Sequence, residues 1–535
     1  MVPRPSRYST LLILLILLHL VHNAAVIALD HHFDIPDAAD YYDWGLQIAA
    51  KLKRAEPLQA LRVLWSNQER PPLGIVPTAL FMAVWPSPDP VVARCSVLPW
   101  LALLMWAVYR VGIRLHSPAA GLVAAACTAA FPAVFGFSRL LWLDVPLGAM
   151  TALAMLAMLR TDHFRRLRPT LLFGVVTGLG LLTKHAFPIF LLPTALGYLV
   201  VGLRQSTGPR RRPLLHVTLA ALVAAALFAL WLVPHFQFYI WIFYLSQTDT
   251  PQHGPQALTA IPLAARVLHN LWLIPTALMG PVLLLLYLGS VVWLVRRDAR
   301  RVVGITTLWL WGSLLLLSLF VSWPRYPIPA LPGAALAIGV GVTLLPGFDR
   351  RRWHLPLALG LLCLLPIQST WFGPKLVWCE NNHPTERVFC AGMIRPERHR
   401  SQRPSFAALP RKHDVMVTVL PRWLHRTRPP EYVPAPFDHI PEAVRYWMLE
   451  DGLTLVECNW EIRELVGSGL DRNQYVVVVE GAGLLQPSVE DRMMLDDLVR
   501  RLQARPRWWR EIMTYRFERG PRLRLFGHRL ALDLP

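Results

Sequence analysis

Ionisable residues occupy the short turns that separate long apolar segments of this sequence. The turns carry Arg139 with Asp144, Lys184, and Arg325 with Tyr326. The loop after the first apolar segment adds several carboxylates, of which Asp37 and Asp40 stand beside Tyr41. Carboxylates accept protons and cations hold anions, so these residue types suit acid–base and anion-binding chemistry. An ionisable group at membrane depth is costly and is a functional candidate by default.

Each of these residues also has a purely structural interpretation. The acids of the first loop suit helix capping or a solvated loop face. Asp144 is placed to pair with Arg139 in a structural salt bridge, and Lys184 is long enough to reach the membrane interface. Arg325 also suits an ordinary interfacial anchor. The joint pattern is more specific than any one member, because acids and cations from separate segments are predicted to face one side.

The composition of the chain indicates a membrane protein. Of its 535 residues, 54% are hydrophobic and 16% are charged, whereas soluble proteins carry about 25% charged residues. The apolar residues form long runs, and about 20 such residues span a bilayer as a helix. The net charge of +20 comes from short arginine clusters between these runs, which is typical of cytoplasmic loops and not of a nucleic-acid-binding surface.

The arginine clusters predict the topology. They lie at residues 110–114, 160–168, 204–212, 296–301 and 350–352. Two predicted spans separate each cluster from the next, so all of them fall on the cytoplasmic side. This count gives about 11 transmembrane helices, with the N-terminus in the cytoplasm and the C-terminus outside. The charged turns then lie together on the external side.

The predicted fold class is an all-α polytopic membrane protein with a small C-terminal soluble α/β domain. Residues 1–370 form the membrane domain. Within it, residues 30–90 form one external loop with interfacial helices, because the apolar segment 73–85 is too short to span a bilayer.

Residues 371–535 have the character of a soluble domain on the external face. An amphipathic helix is predicted over 489–503. An external location permits a disulfide between Cys379 and Cys390. Buried strands are predicted at 414–420, 453–458 and 474–480.

Five short motifs occur in a fixed order along the membrane domain. They are Asp37 with Tyr41 four residues later, Arg70-Pro-Pro-Leu, Ser138-Arg139 with Asp144, the run Gly178-Leu-Gly-Leu-Leu-Thr-Lys184, and Arg325-Tyr326-Pro. In this order they resemble the bacterial relatives of the dolichyl-phosphate-mannose–protein mannosyltransferases (glycosyltransferase family 39), a branch that includes the lipid A aminoarabinose transferase. The resemblance covers roughly residues 9–345. Two positions depart from the family pattern: Ala38 replaces a Glu, and Arg70 replaces a His.

The resemblance implies a GT-C fold and a glycosyltransferase. Such an enzyme moves a sugar from a polyprenyl-phosphate donor to a hydroxyl acceptor with inversion. The resemblance assigns the base to Asp37, with Asp40 as the alternative. It also implies a donor-phosphate site formed by Lys184, Arg325, Arg139 and Tyr326. Asp144 and Tyr41 are expected to support these residues. Asp144 is expected to orient Arg139 or the acceptor.

Other functions stay open at this point. A transporter or flippase of a lipid-linked sugar is the alternative in another class, although no internal repeat is visible. A membrane-anchored binding protein and an oligosaccharide polymerase or ligase are further candidates. The sequence has no recognisable metal-ligand spacing, and family members differ in whether a divalent cation is bound. The acceptor is a protein, a lipid or a glycan, and the expected location is a bacterial inner membrane.

Overall fold

The structure is a computed structural model that describes residues 7–29, 37–68, 70–86, 90–205, 211–240, 263–319, 325–346, 417–422, 475–480, 500, 502–504, 509–516 and 522–528. Within these ranges the chain is mostly helical, as predicted. The helices are α1 (Arg7–Leu29), α2 (Asp37–Lys53), α3 (Pro57–Ser66), α4 (Val76–Val84), α5 (Pro90–Cys95), α6 (Leu98–Leu115), α7 (Pro118–Ala130), α8 (Pro132–Phe137), α9 (Asp144–Arg160), α10 (Leu167–Thr183), α11 (Phe187–Arg204), α12 (Arg211–Leu232), α13 (Leu263–Leu273), α14 (Gly280–Arg296), α15 (Arg300–Thr307), α16 (Ser313–Leu317) and α17 (Leu331–Thr343).

Five helical segments are long and apolar enough to cross a membrane. They are Arg7–Ala28, Val91–Leu115, Phe187–Arg204, Arg211–Ile240 and Arg300–Leu317. Shorter apolar helices are Pro72–Val84, Pro118–Ala130, Leu167–Thr183, Gly280–Arg296 and Ile328–Thr343. The chain is therefore an integral membrane protein. The last predicted span, near the apolar segment 355–366, lies outside the described residues.

Glycines let several of these helices pack backbone to backbone. In α10, a Cβ at Gly174 would lie 2.5 Å from the carbonyl oxygen of Ala220 in α12. One turn later, a Cβ at Gly178 would lie 2.8 Å from the side chain of Leu227. Small residues four apart on one helix are the usual means of close helix contact in membranes. They hold α10, which ends at the candidate site, tightly against α12.

Between α1 and α5, the described residues form the short helices α2, α3 and α4. The apolar segment 73–85, which was predicted to be too short to span a bilayer, overlaps a 3-10 turn, Pro72–Ile75, and contains the nine-residue helix α4. The ammonium of Lys53 donates to the carbonyl oxygen of Trp85 at 2.5 Å, just after the end of α4. Val84 and Trp85 expose apolar side chains, which suits a helix that rests in the membrane interface.

Two of the predicted cytoplasmic clusters lie side by side. The guanidinium of Arg165, after α9, donates to the carbonyl oxygen of Gln205, after α11, at 3.1 Å. His216 of α12 lies 2.9 Å from the carbonyl oxygen of Phe164. Arg165, Gln205 and the start of α12 therefore share one end of the bundle.

The C-terminal region contains a four-stranded sheet. Its strands are β1 (Val417–Arg422), β2 (Tyr475–Glu480), β3 (Trp509–Arg516) and β4 (Arg522–His528), in the order β1-β2-β4-β3. The β1–β2 pair is parallel and the other two pairs are antiparallel. The strands predicted at 414–420 and 474–480 are confirmed, whereas β3 and β4 were not predicted. The strand predicted at 453–458, most of the helix predicted at 489–503, and both Cys379 and Cys390 lie outside the described residues.

Candidate active site

Asp144 is the buried acid at the centre of the candidate site. It is the first residue of α9 and is 1% exposed. A carboxylate at this position faces the positive end of the helix dipole. Burial of an ionised carboxylate nevertheless requires a cationic partner, and two other turns supply one each.

Lys184 forms the closest ion pair with this acid. Its ammonium donates to Oδ1 of Asp144 at 2.8 Å, and its side chain is 17% exposed. Lys184 directly follows α10. Its backbone amide donates to the carbonyl oxygen of Gly180 and so makes the last hydrogen bond of that helix. The α10–α11 turn therefore holds the ammonium against the start of α9.

Arg325 approaches the same carboxylate from the turn before α17. Its Nε lies 3.9 Å from Oδ2 of Asp144, an ion-pair distance that is too long for a hydrogen bond. Its guanidinium carbon lies 3.6 Å from the ring centre of Trp142. The ring of Tyr326 lies 5.1 Å from the Lys184 ammonium and 5.2 Å from the guanidinium carbon of Arg325. Two cations and two aromatic rings thus surround one acid.

This arrangement carries an excess of positive charge. Lys184 and Arg325 contribute two positive charges against the single negative charge of Asp144, which leaves one positive charge on the trio. Among the described residues, Oδ2 of Asp144 accepts no hydrogen bond. Such a partly desolvated, net cationic cluster suits a bound anion such as a phosphate.

The first loop closes the site on another side. Tyr41 of α2 is buried, and the guanidinium carbon of Arg70 lies 4.5 Å from its ring centre. A Cβ at Gly74 would lie 2.6 Å from the side chain of Leu143 and 3.3 Å from the carbonyl oxygen of Thr183. The turn that contains Gly74 therefore packs directly on the two turns that carry Asp144 and Lys184.

Asp37 and Asp40 lie on the helix that this loop contributes. Asp37 is the first residue of α2, and Asp40 is three residues further on. Their side chains lie outside the part of the chain that the structure describes. Their roles remain a prediction.

Arg139 occupies a separate position from the trio. It is 4% exposed, its Nε donates to the carbonyl oxygen of Phe135 at 3.3 Å, and its guanidinium carbon lies 4.4 Å from the Phe135 ring centre. A second buried arginine, Arg94, donates to the Arg139 carbonyl oxygen at 2.9 Å. Within the described residues, Asp144 pairs with Lys184 and Arg325 and not with Arg139. The role expected for Asp144, to orient Arg139 or the acceptor, stays a prediction.

His185 is a neighbour of the site that the sequence reading did not select. Burial among protein groups, with added repulsion from Lys184 and Arg70, lowers the pKa of His185 to about 4. The imidazole is therefore neutral at physiological pH. Its position next to Lys184 was the available signal, but the sequence did not show its surroundings. Trp142 and Arg94 were missed for the same reason. Within the described residues, no cluster of three His, Cys, Asp or Glu side chains suits a metal ion.

The helices and their charged turns define a membrane protein of the GT-C fold. The crystal structure of ArnT from Cupriavidus metallidurans bound to undecaprenyl phosphate matches with a TM-score of 0.59 and 15% identity, over 96% of this chain and 97% of that chain. The apo structure of the same ArnT matches with a TM-score of 0.60 and 14% identity, over the same shares of the two chains. The predicted fold class is confirmed.

A protein-family model also matches part of this sequence. The model described as dolichyl-phosphate-mannose-protein mannosyltransferase matches residues 69–233. The matched segment contains Arg139, Asp144 and Lys184. The resemblance to this family that the motifs indicated is therefore confirmed. No curated protein sequence matches the chain.

Proposed function

We propose that the protein is a glycosyltransferase that takes a sugar from a polyprenyl-phosphate donor and transfers it to a hydroxyl acceptor on the external face of the membrane. The observation that carries this proposal is the trio of Asp144, Lys184 and Arg325. It assembles a partly buried cationic site from three turns at one end of a GT-C fold. The ArnT structure of similar fold is bound to undecaprenyl phosphate, which supports a polyprenyl phosphate as the carrier.

The leaving group of this reaction is a phosphate, and the trio suits its charge. When the bond between the anomeric carbon and the phosphate oxygen breaks, the electron pair stays on the phosphate. Lys184 offers a point charge to that oxygen, whereas Arg325 offers parallel N–H donors. Tyr326 lies beside both cations. Because the phosphate leaves as a stable anion, it needs electrostatic stabilisation and no general acid.

Asp144 keeps the two cations in place. Without it, Lys184 and Arg325 would repel each other across a poorly solvated space. With it, both cations are oriented before the donor binds, so less reorganisation is needed during the reaction. Asp144 thus supports the two phosphate ligands.

The acceptor hydroxyl needs a base. In a single displacement, its oxygen attacks the anomeric carbon, its proton passes to a carboxylate, and the configuration at that carbon inverts. We assign the carboxylate to Asp37, with Asp40 as the alternative. Both belong to the first turn of α2, whose residue Tyr41 packs against Arg70.

The test uses purified protein in detergent with native lipid, radiolabelled polyprenyl-phosphate sugars and a crude membrane fraction as acceptor. We expect Asp37→Asn to lower transfer by roughly 10²- to 10⁴-fold, the usual contribution of a general base. Asp40→Asn should retain most of the activity. Asp298→Asn is the matched control, because its ion pair with Arg300 is exposed.

The outcomes separate the candidate functions. Loss of transfer in Asp40→Asn alone would move the base to Asp40 and keep the class. Absence of transfer and of donor hydrolysis with every carrier, from folded wild-type protein, would overturn the proposal. A lipid-flipping assay would then test the transporter alternative.

A further inference from the structure

His185 presents an exposed ring next to the charged groups of the candidate site. Its side chain keeps an exposed surface, yet enough protein surrounds it for desolvation to dominate its titration. His185 directly follows Lys184 between α10 and α11, so the turn that presents the Lys184 ammonium also presents this ring. The charges of Lys184 and Arg70 both act on its ring. The ring of His185 therefore lies beside the cationic trio.

The ring of His185 has hydrogen-bonding capacity to offer. Among the described residues, neither of its nitrogens has a hydrogen-bond partner, and its one ring contact there is with Tyr239. The neutral imidazole donates through one nitrogen and accepts through the other. Lys184 and Arg70 oppose protonation, so this dual capacity persists at physiological pH. A group that both donates and accepts is complementary to a hydroxyl.

Aromatic side chains form the wall next to this histidine. The ring centres of His185 and Tyr239 are 6.5 Å apart, and the ring of Tyr239 meets that of Trp231 edge-on at 5.8 Å. The indole N–H of Trp231 donates to the carbonyl oxygen of Asn67 at 3.1 Å, and the Asn67 side chain accepts from the Arg70 amide at 2.9 Å. These bonds tie the aromatic wall to the loop that carries Arg70. Ligand pockets typically combine aromatic walls with a few polar groups that fix orientation.

We propose that His185 binds a hydroxyl group of the sugar on the polyprenyl-phosphate donor and thereby helps to select the sugar. The inference rests on the proposed glycosyl transfer. It adds a sugar contact to the phosphate contacts of Lys184 and Arg325. The hydroxyl is the favoured partner because a phosphate is better held by the adjacent cations than by a neutral ring. The apolar face of the sugar would then pack toward Tyr239.

The experiment compares His185→Phe, which keeps an aromatic ring without nitrogens, with His185→Gln, which keeps a neutral donor and acceptor. His116→Phe is the control, because His116 is exposed after α6 at the arginine-rich end. Two quantities are measured: kcat/KM for the sugar donor, and the affinity for polyprenyl phosphate that carries no sugar. We expect His185→Phe to lower kcat/KM by roughly 10- to 100-fold, the range for one buried hydrogen bond. Affinity for the bare carrier should stay unchanged, and His185→Gln should recover part of the loss.

Donors with single hydroxyls removed identify the contact. With the wild-type enzyme, removal of one hydroxyl from the donor should lower kcat/KM as much as His185→Phe lowers it for the full sugar. For that deoxy donor, His185→Phe should cause no further decrease in kcat/KM. This non-additivity is the signature of a direct pair. An equal loss for every deoxy donor, a parallel loss of bare-carrier affinity, or unchanged kinetics would each overturn the inference. A wild-type protein without any transferase activity would instead overturn the proposed function.

If the hydroxyl belongs to the acceptor, the same variants report it. His185→Phe would then raise the acceptor KM and leave acceptor-independent donor hydrolysis unchanged. That result would overturn the assignment to the donor sugar. A fall in donor hydrolysis together with donor kcat/KM supports it.

Discussion

The single residue with the greatest expected effect on stability is Asp144. Replacing it by Asn removes the negative charge between Lys184 and Arg325, whose side chains are 17% and 13% exposed. Breaking a buried pair in this way typically costs about 3–5 kcal/mol, because the remaining charges stay desolvated. We expect Asp144→Asn to lower the thermal unfolding temperature in detergent by several degrees.

The control for this prediction is another ion pair of the same type. Asp298 and Arg300 approach to 2.6 Å, but their side chains are 75% and 88% exposed. Exposed pairs contribute little to stability, so Asp298→Asn should leave the unfolding temperature nearly unchanged. Equal shifts in the two variants would contradict the importance of burial at Asp144.

His185 should make stability depend on pH. Its pKa in the folded protein is lowered from 6.5 to about 4, so between these values the unfolded chain binds a proton more readily than the folded one. Stability is therefore lost as the pH falls from about 6.5 through 4. We expect His185→Gln to show a smaller decrease in unfolding temperature between pH 7.5 and 4.5 than the wild type. His116→Gln should behave as the wild type does, and an identical decrease in all three proteins would contradict the prediction.

Sequence reasoning found most of the charged residues of the site but not their partners. Charge at the turns predicted that Lys184, Arg325 and Asp144 would share one side, and the structure brings them together. Which cation pairs with Asp144 depends on how each helix is rotated and where it ends. That information is absent from the spacing of residues along the chain. The same holds for His185, whose significance lies in the charges and rings around it.

At the scale of elements, the α10–α12 contact sets the position of the turn that carries Lys184. A Cβ at Gly174 would lie 2.5 Å from the carbonyl oxygen and 2.8 Å from the Cα of Ala220, both backbone atoms that cannot rotate away. Gly174→Ala should therefore force the helices apart and cost roughly 1–3 kcal/mol, as overpacking does. Thermal unfolding in detergent measures this loss.

The same substitution at a second glycine is the matched control. Gly289 of α14 has no atom within 4 Å of a Cβ position. Since alanine favours a helix over glycine by about 1 kcal/mol, Gly289→Ala should be neutral or slightly stabilising. Destabilisation of equal size at both positions would show that helix contact is not the cause.

Helix existence was predictable here, but helix shape was not. Long apolar runs predicted α1 and α12 directly, because nothing else in the sequence offers 20 apolar residues a stable environment. The structure also contains π-helical turns at Ile274–Leu278 and Leu308–Gly312. At the second, a Cβ on Gly312 would lie 2.6 Å from the side chain of Pro193, which lies within α11. Such local changes of winding arise from the packing of one helix on another, which periodicity does not encode.

At the scale of the whole molecule, the two ends of the bundle differ in chemistry. One end brings Asp144, Lys184 and Arg325 together in a buried ion-pair cluster. At the other, the Arg165 guanidinium donates to the carbonyl oxygen of Gln205, and the nearby Asp162 is exposed. The excess of arginine at the second end predicts that it faces the cytoplasm. The candidate site would then face outward, where a donor must present its sugar in the external leaflet.

This orientation is open to measurement with single introduced cysteines. Gln59 is exposed on α3, in the first loop, and Arg168 is exposed at the start of α10, the end of that helix remote from Lys184. A membrane-impermeant maleimide should label Gln59→Cys in intact cells, whereas Arg168→Cys should react after permeabilisation alone. The parent protein, with its six cysteines, gives the background. Reversed labelling would place the site in the cytoplasm and remove the need for an external donor, whereas labelling of both positions from one side would contradict the predicted number of spans between them.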